Sequence, residues 1–314
     1  MKNYTFDFYN SASLRSYNLT DIMRHQLSIL DNMDPFTKRH SESVANLVCR
    51  ICEYMHFSSQ VVIHSTMCGY LHDVGKLKIP KEILNKPAKL TDDEYEIMKT
   101  HTTLGYEICM KNPELRPYAP AALNHHEALN GTGYPNGLTK KDIPYIAQIV
   151  RVADEYDALV SKRQYKTHID ISETLKILIK ESQPEEHAKA IALDQLKTSE
   201  RHGKISPRIL KVLFRVVIDD IYYEIDSVES YIKYLKQEIK RLETAESYYN
   251  KMKKQIKEKD INYFQDGIKL LLSQDETIEN FLTILQDYKN AKEVKEQAVE
   301  KLYKEIKIIK KLKV

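Results

Sequence analysis

Apolar residues recur along this chain at the three- and four-residue steps of amphipathic helices. Val44, Leu47, Val48, Ile51 and Met55 form one such face. Ahead of it, Asp34-Pro35 reads as an N-cap followed by proline at the first helical position. A shorter helical pattern spans Leu19 to Leu30. Ser58 or Ser59 can cap a second helix, whose apolar residues are Val62, Met67, Cys68 and Leu71. It runs into LHDVGK, where Gly75 is expected at the helix C-cap. Thr91-x-x-Glu94 is a capping box opening a helix with Ile97, Met98, Leu104 and Ile108 on one side. A short helix precedes His125, and Ile143-Pro144 starts another with the seam Ile149, Ala153, Tyr156 and Val160. After Pro207 the chain has no proline and a single glycine, Gly267. There Val228, Ile232, Leu235, Ile239 and Leu242 alternate in steps of four and three, a heptad seam. A break near Lys259-Asp260 and a capping box at Ser273-x-x-Glu276 predict that this arm folds back, and Ile278, Leu282, Leu285 and Tyr288 continue its stripe. The expectation is an all-α protein: a lead-in helix over 1–29, a helical bundle over 30–220, and a C-terminal hairpin or coiled-coil extension over 221–314.

Composition narrows the classes. The 314 residues are 30% charged and 42% hydrophobic, with a mean hydropathy of −0.51, as in soluble globular proteins. A net charge of +3 without a dense basic patch interleaved with aromatics argues against a nucleic-acid polymer as partner. The N-terminal MKNYTFDFYN lacks the apolar core of a signal peptide. The best apolar run, Ile209 to Ile218, is interrupted by Lys211 and Arg215 and falls short of the roughly 18 residues of a membrane span. Four cysteines are too few and too ill-spaced for a disulfide framework; Cys49-x-x-Cys52 reads as core thiols, and the expected compartment is a reducing cytoplasm. The basic ending IKIIKKLKV suits a solvated helix face better than an anionic membrane.

What does not fit a plain helical bundle is a set of polar residues on apolar faces. His40 lies four residues before Val44, on the same face. His72 and Asp73 end an apolar helix, His101 lies on the apolar side of the next, and His125 and His126 end a third. Asp154 and Asp157 border the last seam, with Arg163 and Lys166 following. Each alone has an ordinary explanation, a satisfied core histidine or an aspartate paired with Arg151 or Arg163. Together, five of the eleven histidines accompany aspartates that also point inward. A buried carboxylate needs a partner, and a divalent metal is a natural one. The histidine pair opens HHEALNGTGYPNGL, where Gly131, Gly133 and Gly137 are three of the chain's eight glycines. Such density implies positive φ or close backbone approach, and Pro135 biases Tyr134 towards an extended conformation. The loop reads either as a surface turn or as a device holding something small and flat against a metal.

These residues resemble a known family. HDVGKLKIPKEILNKPAKLT, the later His101, HHE with GTGYPNGL, and VADEYDAL followed by Arg163 are similar to the HD-GYP family over roughly residues 30 to 215. These are HD-superfamily phosphodiesterases acting on cyclic dinucleotides, chiefly cyclic di-GMP. The resemblance implies an HD-superfamily helical bundle holding two metals, and mixed imidazole and carboxylate ligation suits divalent iron, manganese or another first-row transition metal. Asp73 would bridge them, with His40, His72 and Asp154 completing one site and His101, His125 and His126 the other. It implies that Lys76, Arg163 and Lys166 hold phosphate. Gly133, Tyr134 and Pro135 would shape the substrate end, and Asp157 would be a supporting or water-orienting carboxylate. Three departures stand out. Phe36 occupies the position where some members place a third metal's glutamate, Leu129 and Asn130 replace a common tryptophan and aspartate, and Ala88 stands in KPAKLT for glycine. The implied reaction is in-line attack on phosphorus by a hydroxide held between the metals, giving linear pGpG and then GMP. The alternatives are another HD-superfamily nucleotide phosphohydrolase and a catalytically silent sensor signalling through the C-terminal helices. Those helices could also join a homodimer or a protein partner.

Overall fold

A computed structural model describes residues 26–163, 171–184 and 202–314, with residues 161–163 described by their backbone alone. Every regular element among them is helical, apart from an isolated bridge between Asn130 and Thr139. Two compact units result, Met1–Val217 with Lys311–Val314, and Ile218–Lys310.

In the first unit, helix α1 (Pro35–Tyr54) begins as its cap predicts. The Asp34 carboxylate accepts from the Phe36 and Thr37 amides at 3.1 and 3.0 Å. Its buried side carries Val44, Val48 and Ile51 against α2 (Ser59–Leu71). Ser58 is the N-cap residue of α2, though its side chain makes no capping bond. All four cysteines are buried and free. Burial pushes the Cys49 and Cys52 thiols up to about 12 and 11, as inert core groups require.

Two local expectations are corrected. Gly75 does not cap α2, which ends at Leu71; it lies inside a 3₁₀ turn, Val74–Lys78. There a Cβ would fall 1.8 Å from the His101 carbonyl oxygen, so glycine is required by close backbone approach. The helix opened by Thr91, whose capping box with Glu94 is complete, is two helices after a four-residue α3 (Lys81–Leu84): α4 (Asp92–Lys99) and α5 (His101–Lys111). Thr100 divides them, its hydroxyl donating to the Ile97 carbonyl at 2.6 Å. Such local bonding competes with the helical ladder, and it makes His101 the first residue of a new helix. The short α6 (Ala119–Asn124) then presents His125, and α7 (Tyr145–Arg163) packs on α1, α2, α6 and α8 (Ile171–Ser182).

Helix α9 (Pro207–Met252) runs from the first unit into the second, which also holds α10 (Glu258–Lys269) and α11 (Phe281–Ile309). Helices α9 and α11 are antiparallel. Tyr222 meets Lys310, Glu229 meets Tyr303, Lys236 meets Glu296 and Glu243 meets Lys289, at 3.0 to 3.3 Å. Each step of seven along α9 is answered by a step of seven back along α11, the register of a hairpin coiled coil. Leu242, Ala245, Ile268, Phe281 and Leu285 form its core. The break falls earlier than expected, at 253–257, because Asp260 already lies in the first turn of α10. Ser273 and Glu276 do not open a helix. The Glu276 carboxylate accepts from the Ser273 amide at 2.8 Å but is also claimed by Arg241 at 2.6 and 2.7 Å, and the next helix starts only at Phe281. No helix of the described residues is long and apolar enough to cross a membrane.

Candidate metal centre

The ends of α2, α5 and α6 and the facing sides of α1 and α7 bring five imidazoles and two carboxylates together. His40 comes from α1, His72 and Asp73 from the end of α2, His101 from the start of α5, His125 and His126 from the end of α6, and Asp154 from α7. All but His40 and His126 are buried. They form two groups whose ligand atoms lie within 4.8 Å of one another, His40 with His72 and Asp73, and His101 with His125 and His126.

Asp73 joins the groups. Its Oδ2 lies 3.3 Å from His72 Nε2 and 3.7 Å from His40 Nε2. Its Oδ1 lies 3.4 Å from His101 Nε2 and 3.8 Å from His125 Nε2. Asp154 completes the first group, 3.0 Å from His40 Nε2 and 3.8 Å from His72 Nε2. Arg151 is committed elsewhere, to the His126 carbonyl at 2.7 Å and to Glu155 at 2.5 Å.

The second ring nitrogen of each buried imidazole shows which atom faces the centre. The Nδ1 atoms of His72, His101 and His125 lie 2.7, 2.7 and 2.9 Å from the carbonyls of Gly69, Met98 and Ala122, each three residues earlier. A carbonyl can only accept, so these bonds assign the proton to Nδ1 and leave a lone pair on Nε2. His101 Nε2 and His125 Nε2 then face one another at 3.1 Å, lone pair to lone pair. His72 Nε2 and Asp73 Oδ1 are buried without a hydrogen-bond partner. Facing lone pairs beside orphaned acceptors are what a bound cation would satisfy, and the donor set suits divalent transition metals.

Electrostatics agree. Burial, then the neighbouring His126 and His72, hold His125 well below the ordinary histidine range, and burial takes His126 down to about 3. Both stay neutral, as ligands must. Burial alone would raise Asp73 and lower Lys76. Their contact, Lys76 Nζ to Asp73 Oδ2 at 2.6 Å, keeps the carboxyl well below its usual range and the ammonium charged. Burial would also lower His40, but Asp154, Asp157 and Asp73 overturn it and push it up to about 10. Asp157 stands behind His40, its Oδ2 2.6 Å from His40 Nδ1 and its Oδ1 accepting from the Ser43 hydroxyl.

The glycine loop follows directly. Gly131 and Gly137 have φ of 79° and 64°, while Gly133 is held by close approach, a Cβ there falling 2.2 Å from the Ala128 nitrogen. Glu127 pins the loop: its two carboxylate oxygens accept from the Asn136 and Leu138 amides at 2.7 and 2.8 Å. Tyr134, which precedes a cis peptide bond to Pro135, stacks on His126 with ring centroids 4.7 Å apart. Pro135 is exposed. A cavity of about 510 Å³ opens over the centre, and His40, Lys76, His126, Gly133, Tyr134 and Asp154 are among its walls.

Of the residues expected to hold phosphate, Lys76 lies on the cavity wall, bonded to Asp73. Arg163 is the last residue of α7, with its side chain outside what is described, and Lys166 lies outside the described residues. Sequence reading missed the roles of Glu127 and Ser43 and, on the cavity wall, of Tyr95, Glu155 and Lys204, and it offered Arg151 only as a partner for an aspartate. Glu127 carried a signal, a carboxylate adjoining two inward histidines. The others carried none, since only the packing of α1, α4, α7 and the Lys204 segment brings them to the site.

Residues 24–186 match the family model described as HD domain. The chain is 42% identical over 162 residues to a cyclic di-GMP phosphodiesterase of Thermotoga maritima, covering 50% of this chain and 44% of that one. It is 35% identical over 150 residues to a 3'3'-cGAMP-specific phosphodiesterase of Vibrio cholerae, covering 48% of this chain and 33% of that one. Among solved structures, an HDG"Y"P protein from Bdellovibrio bacteriovorus aligns with a TM-score of 0.44 at 19% identity, covering 67% of this chain and 66% of that one. The chain spans less than half the length of the curated relatives it matches. The all-α bundle, the paired histidine clusters and the family match converge: this chain belongs to the HD domain family, and its motifs are those of the HD-GYP branch.

Proposed function

We propose that this protein is a metal-dependent phosphodiesterase hydrolysing a cyclic dinucleotide, with cyclic di-GMP as the leading substrate. The observation that carries this reading is Asp73, one carboxylate oxygen turned to each histidine group. His40, His72 and Asp154 would hold one divalent metal and His101, His125 and His126 another, with Asp73 shared. Iron and manganese fit this mix of imidazole and carboxylate. Such a pair, when bound, supplies Lewis acidity and an activated water at neutral pH.

The chain's own residues do the rest. Lys76 offers an ammonium at the cavity floor to a non-bridging phosphate oxygen, with Arg163 and Lys166 as further phosphate holders. Asp157 fixes the His40 ring through Nδ1 and so aims Nε2 at the centre. Gly133 lets the loop backbone approach Ala128, and Tyr134 and Pro135 shape the substrate end. The product is the linear dinucleotide pGpG, and a second round gives GMP. Residues 30–220 would carry this chemistry in the cytoplasm. The arm over 221–314 would carry regulation or self-association, so sedimentation of the full chain at micromolar concentration should show a dimer; a monomer there removes the self-association reading.

The test of activity is turnover by anaerobically purified protein loaded with Fe(II) or Mn(II), offered cyclic di-GMP and cyclic GMP-AMP separately. Hydrolysis, with about two metals per chain, is expected. Full metal loading with binding but no hydrolysis would favour a silent sensor.

A further inference from the structure

We propose, resting on the cyclic dinucleotide reading above, that Phe36 and Tyr95 are the nucleobase-stacking residues of this cavity, one above each half of the metal centre. Large apolar side chains of this unit are mostly interior, yet these two are 55% and 49% exposed and line the same cavity. Isolated exposed aromatics are ordinary on protein surfaces. Two on the wall of a cavity floored by paired ligand clusters call for a ligand with aromatic faces.

Their placement matches a molecule with two bases flanking two phosphates. Phe36 sits in the first turn of α1, four residues before His40, so it stands one helical turn from the first ligand group on the same face. Its backbone is fixed by the Asp34 cap, which accepts its amide. Tyr95 belongs to the second group's side. Lys99 places its ammonium 5.5 Å from the Tyr95 ring centroid and 5.7 Å from that of Tyr134, and Tyr134 in turn stacks on His126. One cation thus holds both tyrosine rings at its flanks, and Tyr95 is fixed without being covered. Stacking on an aromatic face tolerates any base. Phe36 has no hydrogen-bonding group at all, so these positions set affinity for dinucleotides as a class and leave the choice between guanine and adenine to other groups.

The test compares binding of a hydrolysis-resistant phosphorothioate analogue of cyclic di-GMP with binding of inorganic phosphate, by calorimetry on the metal-loaded full chain. Phe36→Ala and Tyr95→Ala should each weaken the analogue about tenfold, the loss of one base–aromatic stack. Phosphate affinity should fall far less, and Tyr95→Phe, which keeps the ring, should bind like the parent. With cyclic di-GMP itself, the alanine variants should raise KM much more than they lower kcat. Unchanged analogue affinity in both alanine variants overturns the proposal, as does an equal loss for phosphate, which would mean a merely structural role. If the parent protein binds the analogue but never hydrolyses cyclic di-GMP, the phosphodiesterase reading fails while the stacking residues stand. If it hydrolyses cyclic di-GMP and the alanine variants bind as tightly, only the stacking proposal fails.

Discussion

Asp73→Ala is expected to abolish both metal loading and turnover, the largest functional effect of any single change in this chain. Asp73 turns one carboxylate oxygen to each group, Oδ2 to His40 and His72 and Oδ1 to His101 and His125, all within 4 Å. Without it the first group keeps only the Asp154 carboxylate, the His101–His125–His126 group loses the carboxylate it shares, and the Lys76 ammonium loses its partner at 2.6 Å. A partly buried cation that has lost its nearest counter-charge then stands beside the place where a divalent metal would have to bind, and like charges repel. Metal content by mass spectrometry and hydrolysis of cyclic di-GMP should both fall to background, and His72→Ala should behave alike through loss of the orphaned Nε2. Full activity in either variant would remove the proposed mechanism.

Gly75→Ala is expected to damage the site through the backbone alone. The added methyl would meet the His101 carbonyl oxygen at 1.8 Å, the Gly105 nitrogen at 2.5 Å and the His101 carbonyl carbon at 2.8 Å. All three are main-chain atoms of α5, so no side-chain rotation relieves the clash. The first turn of α5 must move, and it carries His101. Overpacking of this kind costs about 1–3 kcal/mol, which lowers the melting temperature by several degrees in a chain of this size. Displacement of His101 should also weaken the His101–His125–His126 group more than the His40–His72–Asp154 group. The expected result is a lower melting temperature and about one metal retained per chain. A variant melting like the parent with both metals bound would show that α5 tolerates the shift, and would overturn the expectation.

The coiled-coil arm illustrates how far periodicity reaches. The heptad positions Leu235 and Leu242 are fully buried, as a seam demands. Yet the break fell at 253–257, just ahead of the expected Lys259-Asp260, and the Ser273–Glu276 pattern proved to be a turn. The Glu276 carboxylate still accepts from the Ser273 amide, but the Glu276 amide bonds the Ser273 carbonyl, so the pattern closes a turn and opens no helix.

What the sequence by itself determined was local. Helical faces follow from the spacing of apolar residues, and the caps at Asp34 and Thr91 follow from side chains that reach their own first-turn amides. The positive φ of Gly131 and Gly137 follows from the one residue that adopts it without strain. Inward histidines and aspartates were legible because burying them without a partner is costly, and their order along the chain was enough to show the family pattern. Only the tertiary structure decided which oxygen of Asp73 faces which histidines, that Asp157 supports His40, and that Glu127 holds the loop. It alone revealed that Gly75 exists to let α5 approach, and that Phe36 and Tyr95 share a cavity. These are relations between atoms on different helices, set by how the helices pack, and no periodicity within a single helix encodes the distance to another.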